Sequence, residues 1–322
     1  MSHLKILFPH NISASCNTMN VKHLIPYIPI LLISIIFSCK NNEKKSIPDA
    51  IDSTMKTVVE KIAPPQKENL KPSISYEWMK KKEWQSKKDS FEGAKHLDIL
   101  NAINRVDATH LKRLDSILVP NDFSLPLKDY MPFPDYVEVL KDVNKIILFS
   151  YPTQAFAAYE NGKLILTGPT NMGRKNKKTP TGLFFTNWKA RKTISTVDDE
   201  WILKWNFNIH NKWGVGFHEY ALPGYPASHS CLRLLATDAQ FLYGWANQWI
   251  LKNDYERLAY GTPVIVFGAY PFGEPRPWFK LAEDSKALTI PMDSLNNYVE
   301  PHLQEIMEKQ TQRQEVETQN AP

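Results

Sequence analysis

The pair Asn161-Gly162, set between two apolar segments, constrains this chain more than any other feature. A two-residue type I′ turn needs positive φ at both central positions, and Asn-Gly accepts it, so 155–159 and 163–166 are expected to form a hairpin. Residues 145–149 (KIILF) read as a buried strand ahead of it, and 183–188, 213–217 and 263–267 read as further strands. One helix interrupts them: Thr237 and Gln240 form a capping-box pattern, and Phe241, Trp245 and Trp249 fall one turn apart on a face expected to pack on the sheet. Residues 143–270 are therefore expected to form a mainly β domain, a β-sandwich of mixed sheets with one packed helix.

The flanks differ in kind. Residues 24–37 are an almost unbroken apolar run, preceded by Lys22 and closed by Ser38-Cys39. Its length suits the apolar region of a signal peptide better than a membrane span, which needs about 20 residues. The end of the run, Ile36-Phe37-Ser38-Cys39, resembles a bacterial lipobox, which implies that Cys39 becomes the lipidated first residue. Met19 is read as the start, so that 1–39 is the lipoprotein signal region. An uncleaved N-terminal anchor is the competing reading, and either puts the rest of the chain outside the cytoplasm. Residues 40–77, rich in Lys, Asn, Glu, Pro and Ser, read as a tether with a short amphipathic patch at 55–62.

Residues 78–142 carry a helical pattern. Leu97, Leu100, Ile103 and Val106 recur at spacings of three, Leu111, Leu114 and Leu118 follow at three and four, and Asp107 is placed to cap the second helix. This small helical region, with a helix pair at about 91–119, is expected to brace the next domain. The extension 271–322 is proline-rich, then helical over 294–309, then polar. The net charge of +5, from 39 basic and 34 acidic side chains, is dispersed, which argues against a nucleic-acid partner.

The chain holds 3 cysteines, Cys16, Cys39 and Cys231. With the first two lost or lipidated, Cys231 has no disulfide partner, and its use is either reactivity or simple burial. His210, His218, His229 and Cys231 lie close together in the sequence. Zinc accepts these ligand types, but the paired short spacings of structural zinc sites are missing. A cysteine nucleophile instead needs a base, a group to orient the base, and donors facing an oxyanion. A sharp turn at 223–226 would bring His218 and His229 to one thiol.

These residues resemble the L,D-transpeptidases with a YkuD-type catalytic domain. The likeness is carried by His218 followed by Ser228-His229-Ser230-Cys231-Leu232-Arg233, with Thr179-Pro180-Thr181-Gly182 upstream and Gly261-Thr262-Pro263-Val264 downstream. It implies a peptidoglycan enzyme in the cell envelope that needs no metal or organic cofactor. In it Cys231 is the nucleophile, His218 the base, and the Glu219 carbonyl orients the imidazole. His229, with the backbone near Ser230, faces the oxyanion, while Ser228 and Arg233 meet substrate. Arg233 reads equally as a loop organiser or a structural partner for an acidic side chain. His210 matches no motif position. The family usually has glycine where this chain has Ser230, so serine there must accept positive φ or a different turn. The helix pair at about 91–119 also has a second reading as a small wall-binding element.

Overall fold

Hairpins alone would give this chain an antiparallel meander, but two parallel pairings fold it differently. The computed structural model describes residues 71–87, 94–195 and 201–319. The expected Met19 start, lipidated Cys39 and most of the tether lie outside them. Strands β1 (Tyr76–Lys80) and β2 (Ser116–Pro120) form a separate antiparallel pair. The main sheet contains β3 (Ile146–Ser150), β4 (Ala155–Glu160), β5 (Lys163–Asn171), β6 (Gly182–Phe185), β7 (Lys189–Ile194), β8 (Ile202–His210), β9 (Val215–Glu219) and β10 (Leu232–Leu234). After the small β11–β12 pair (Ile250–Leu251 and Arg257–Ala259) comes its last member, β13 (Pro263–Phe267). The order is β6-β13-β3-β4-β5-β10-β9-β8-β7, with β13 parallel to β3 and β10 parallel to β9. The β4–β5 turn is the expected one, with φ of 47° at Asn161 and 75° at Gly162.

Alternation along the strands explains why this sheet needs cover on both faces. In β3 all five residues are buried, yet Ile147 and Phe149 join one core while Ile146 and Leu148 join the other. The first core closes the sheet on itself: Phe149 of β3 and Phe217 of β9 are not strand neighbours, but their rings lie 6.3 Å apart. The two sheets expected of a sandwich are thus one curled, nine-stranded mixed sheet. The second core is covered by Leu295, Val299 and Ile306 of the long terminal helix, which runs beyond the expected 294–309.

The helix of residues 236–245 differs from expectation in its start and its face. Leu235 occupies the N-cap with no side-chain bond, so Thr237 does not cap it. The core side presents Ala239 and Leu242, with Ala246 just beyond and Trp245 packed against the same core as expected, whereas Phe241 is exposed and Trp249 lies past the helix end. Small residues allow the helix to approach the sheet closely, and Trp245 gains a hydrogen bond from its indole Nε1 to Glu160 Oε1 at 2.6 Å.

The accessory region also departs from the sequence pattern. Helices α1 (Lys81–Ser86), α2 (Ala94–Asn104) and α3 (Ala108–Leu111) form, with Asp107 capping α3 as expected through the Thr109 and His110 amides. The second helix stops there, however, and Leu118 belongs to β2. A long-range partner, β1, gives Ile117, Leu118 and Val119 their backbone hydrogen bonds, and β-branched neighbours favour that choice. Leu97, expected in the apolar stripe, points outward. Ile99, Leu100, Ile103, Leu111 and Leu118 pack instead with Trp84 and Trp278.

Arg105 is the charged exception in this layer, with only 1% of its surface exposed. Its Nε donates to Thr153 O at 2.7 Å and one terminal nitrogen donates to Ala102 O, while the Trp278 ring lies beneath it at 5.9 Å. Burial pulls the guanidinium pKa down to about 10, which still leaves it charged near neutrality. The bond to Thr153 ties α2 to the turn between β3 and β4.

Candidate active site

The parallel pair β9–β10 sets the site. Its register places Leu232 beside Phe217 and Arg233 beside His218. Because side chains alternate, Phe217, Leu232 and Leu234 enter the core, which turns His218, Cys231 and Arg233 to the other face. These three line one narrow cavity with Ser195, Trp201, Leu203, Tyr220, Ser228 and His229. A larger cavity, about 790 Å³, lies between the accessory layer and the terminal extension, but no cysteine or histidine lines it. The chemistry belongs to the smaller one. Gly216 makes the strand approach possible, since a Cβ there would stand 2.6 Å from Phe207 O on β8.

His218 is 3% exposed, and its Nδ1 lies 2.9 Å from the Glu219 carbonyl. That carbonyl only accepts, so the proton sits on Nδ1 and the Nε2 lone pair is left available. Burial lowers the imidazole pKa to about 4, the Glu219 hydrogen bond opposes this, and the Arg233 charge adds to it. Cys231 is partly exposed, with Sγ 3.7 Å from Gly214 O. Burial raises its thiol pKa, while the Gly216 backbone and the Arg233 charge pull the other way. The cavity therefore holds a neutral thiol and a neutral imidazole at rest, and a reaction through Cys231 would have to generate its thiolate in the course of the step.

The turn that carries Cys231 is fastened on its other side by β5 and the loop that follows. Asn171 takes the Ala227 amide at 3.2 Å and donates to Tyr225 O. Ser228, read from the resemblance as a substrate contact, is fully buried instead. Its amide donates to Met172 O at 3.1 Å and its hydroxyl to Cys231 O at 2.5 Å, so it shapes the turn from within the cavity lining. His229 accepts a hydrogen bond from Arg174 at its Nε2, 2.7 Å away, which puts its own proton on Nδ1. Nothing local in the sequence marks Arg174 for this part, because His229 is 55 positions away.

Ser230 does adopt positive φ, 92°, and its hydroxyl donates to Lys177 O at 3.2 Å. A serine in this region costs about 1–2 kcal/mol, partly offset by that bond. Arg233 lies over the Tyr220 ring at 4.5 Å and donates to Ala221 O at 3.4 Å, with no acidic partner among the described residues. These contacts tie Arg233 to the loop, and it faces the cavity with Cys231. His210 stands apart, stacked on Trp213 at 4.3 Å. Among the described residues no group of three or more His, Cys, Asp or Glu could hold a metal ion.

Residues 144–266 match the YkuD family model, the L,D-transpeptidase catalytic domain. The YkuD-type region thus spans β3 to β13 and contains every residue of the cavity. Among solved structures, the chain is similar to an L,D-transpeptidase from Stackebrandtia nassauensis at 26% identity and TM-score 0.33, covering 40% of this chain and 57% of that one. It is also similar to L,D-transpeptidases from Mycobacterium smegmatis (19% identity, TM-score 0.31, 39% and 59% covered) and Mycobacterium tuberculosis H37Rv (21%, 0.31, 39% and 58%). The chain spans less than two thirds of each of these proteins. No curated protein matches it.

Proposed function

We propose that this protein is a peptidoglycan L,D-transpeptidase that works through a thioester on Cys231. The observation that carries the reading is the β9–β10 register, which gathers the thiol, the His218 imidazole and Arg233 in one cavity inside the YkuD-matched region. His218 Nε2 takes the thiol proton as Sγ attacks the carbonyl of the third residue in a donor stem tetrapeptide. The new C–S bond replaces the C–N bond to the fourth residue, D-alanine, whose amine leaves with the proton from His218. An acceptor amine then attacks the thioester, gives its proton to His218, and releases Cys231 as the thiol. Water in place of the amine would make the enzyme an L,D-carboxypeptidase. His229, whose Nε2 accepts from Arg174, is assigned to support of the oxyanion beside the backbone near Ser230.

The apolar run at 24–37 and Cys39 support a lipid anchor that keeps this domain in the cell envelope, facing the periplasm, where peptidoglycan lies. Among the described residues no helix is long and apolar enough to cross a membrane. A non-catalytic wall-binding lipoprotein is the second reading, favoured by the strained Ser230 and the raised thiol pKa.

The deciding experiment incubates the full chain and Cys231→Ala with a carbapenem and with defined tetrapeptide muropeptides. The parent chain should gain the inhibitor mass and form cross-linked or exchanged products, and the variant should fall to background in both. Absence of any adduct on the parent would favour the binding protein, and equal turnover by the variant would sink the cysteine mechanism.

A further inference from the structure

We propose that Asp107, in the accessory layer, is a positioning residue for the reaction assigned to Cys231, an inference that rests on that reading. The segment joining His218 to the nucleophile runs through residues 220–231, and its course decides whether base and thiol meet. One side of it is held by Arg233 at Ala221 O. The next residue, Leu222, is fully buried and makes its backbone hydrogen bonds to Asp107 alone. Its amide donates to Asp107 Oδ2 at 2.8 Å, and its carbonyl accepts from the Asp107 amide at 3.1 Å.

The surrounding contacts leave little slack. Val106 pairs with Pro223 as an isolated antiparallel bridge, in which the Leu222 carbonyl accepts from the Asp107 amide while the Leu222 N–H turns to the Asp107 side chain. Gly224 follows at φ 81°, and a Cβ there would come within 2.9 Å of Val106 Cγ1. The approach itself is set up by Arg105, whose left-handed φ of 58° turns the chain out of α2 toward the loop. Asp107 thus divides its two oxygens between two tasks. Oδ1 caps α3 through Thr109 and His110, while Oδ2 accepts from Leu222 and meets His110 Nδ1 at 2.8 Å.

That division allows the tasks to be separated. In Asp107→Asn, one oxygen remains for the cap, but an amide NH₂ faces the Leu222 N–H, donor against donor. Asp107→Ser caps a helix equally well and has no second oxygen to reach the loop. Both variants, made in the full chain, are compared with the parent by thermal unfolding and by the rate of Cys231 acylation by a carbapenem across pH. Both should stay folded and lose about 10- to 100-fold in acylation rate near neutral pH, the scale set by a misplacement of about 1 Å. The loss should shrink at alkaline pH, where the thiol ionises without its base. Parental rates at all pH values, or a deficit that is equal at all of them, would overturn the proposal. A parent chain that gains no adduct would overturn the enzyme reading and this inference with it.

Discussion

The curled sheet and the accessory layer both bury large aromatic side chains, yet they treat polar groups differently. Around the sheet, Phe149, Phe156, Phe207 and Phe217 form a fully buried apolar cluster, and the buried polar atoms left without a hydrogen-bond partner, Asn208 Oδ1 and Asp238 Oδ2, come from β8 and from the helix packed on the sheet. In the accessory layer and along its contact with the sheet, Trp84 Nε1, Asn101 Oδ1, one Arg105 terminal nitrogen, Thr153 Oγ1 and Trp278 Nε1 are buried with no hydrogen-bond partner among the described residues. Each such group costs about 1–3 kcal/mol. Both regions thus give up some stability to buried polar atoms, but in the accessory layer these atoms surround Arg105, whose neighbour Asp107 holds the loop before Cys231.

The sharpest way to break this contrast is to weaken each core in turn. Phe217→Ala removes a side chain that contacts Phe149 and Phe207, and should cost about 3–5 kcal/mol in denaturant unfolding. Leu100→Ala in α2 should cost about 2–5 kcal/mol and shift the same single transition, because Arg105 and Asp107 link the two regions. Two separate transitions would show that the regions are not coupled.

Smaller effects come from two titrating groups beside the sheet. His218 is neutral in the fold down to about pH 4, against an ordinary 6.5. The unfolded chain binds more protons in that window, so this group makes stability rise with pH between 4 and 6.5, by about 3 kcal/mol in all. Asp238 acts oppositely: burial first, then the charge of Asp98, raises its carboxyl to about 7. Its folded form holds the proton longer, so stability falls as pH rises from about 4 through 7. Gly168 makes room for it, since a Cβ there would sit 2.6 Å from Asp238 Oδ2. The two slopes nearly cancel in the parent between pH 4 and 6.5. Asp238→Asn should expose the His218 slope and gain on the order of 3 kcal/mol on the parent above pH 7. A flat profile in that variant would remove His218 as a buried neutral base.

The smallest effect concerns Ser230. Ser230→Ala keeps the strained φ and loses the bond to Lys177 O, so it should destabilise by about 1 kcal/mol, whereas Ser230→Gly should stay within about 0.5 kcal/mol of the parent. An alanine variant as stable as serine would mean that the hydroxyl contributes nothing.

Much of the sheet was legible because its signals are local. Asn161-Gly162 dictates its own turn, and the β3 and β13 segments are apolar enough to be strands wherever they pair. Strand β8, Ile202–His210, escaped notice because its first half is largely exposed and only its end enters the core. The region 116–120 was misread for a related reason: leucines three and four apart suit a helix until a partner strand distant in sequence is known. The site divides in the same way. Cys231, His218 and their spacing stand out in the sequence, but Arg174 and Asp107 act across long separations, and no local pattern marks either. For the helix at 236–245, Trp245 packs against the core as expected, but Ala239 and Leu242 mark the deepest face and Phe241 is left outside.

Strand β7 closes the order of the main sheet, so one row of its peptide groups faces outward. Its sequence, Lys-Ala-Arg-Lys-Thr-Ile, sets cations along that row, and Lys189 turns inward to donate to Tyr243 O at 2.7 Å. A second copy approaching edge to edge would bring like charges together, which opposes further pairing on this edge. The strand that ends the sheet thus also guards it against growing into an aggregate, at a place where the chain is otherwise ready to pair.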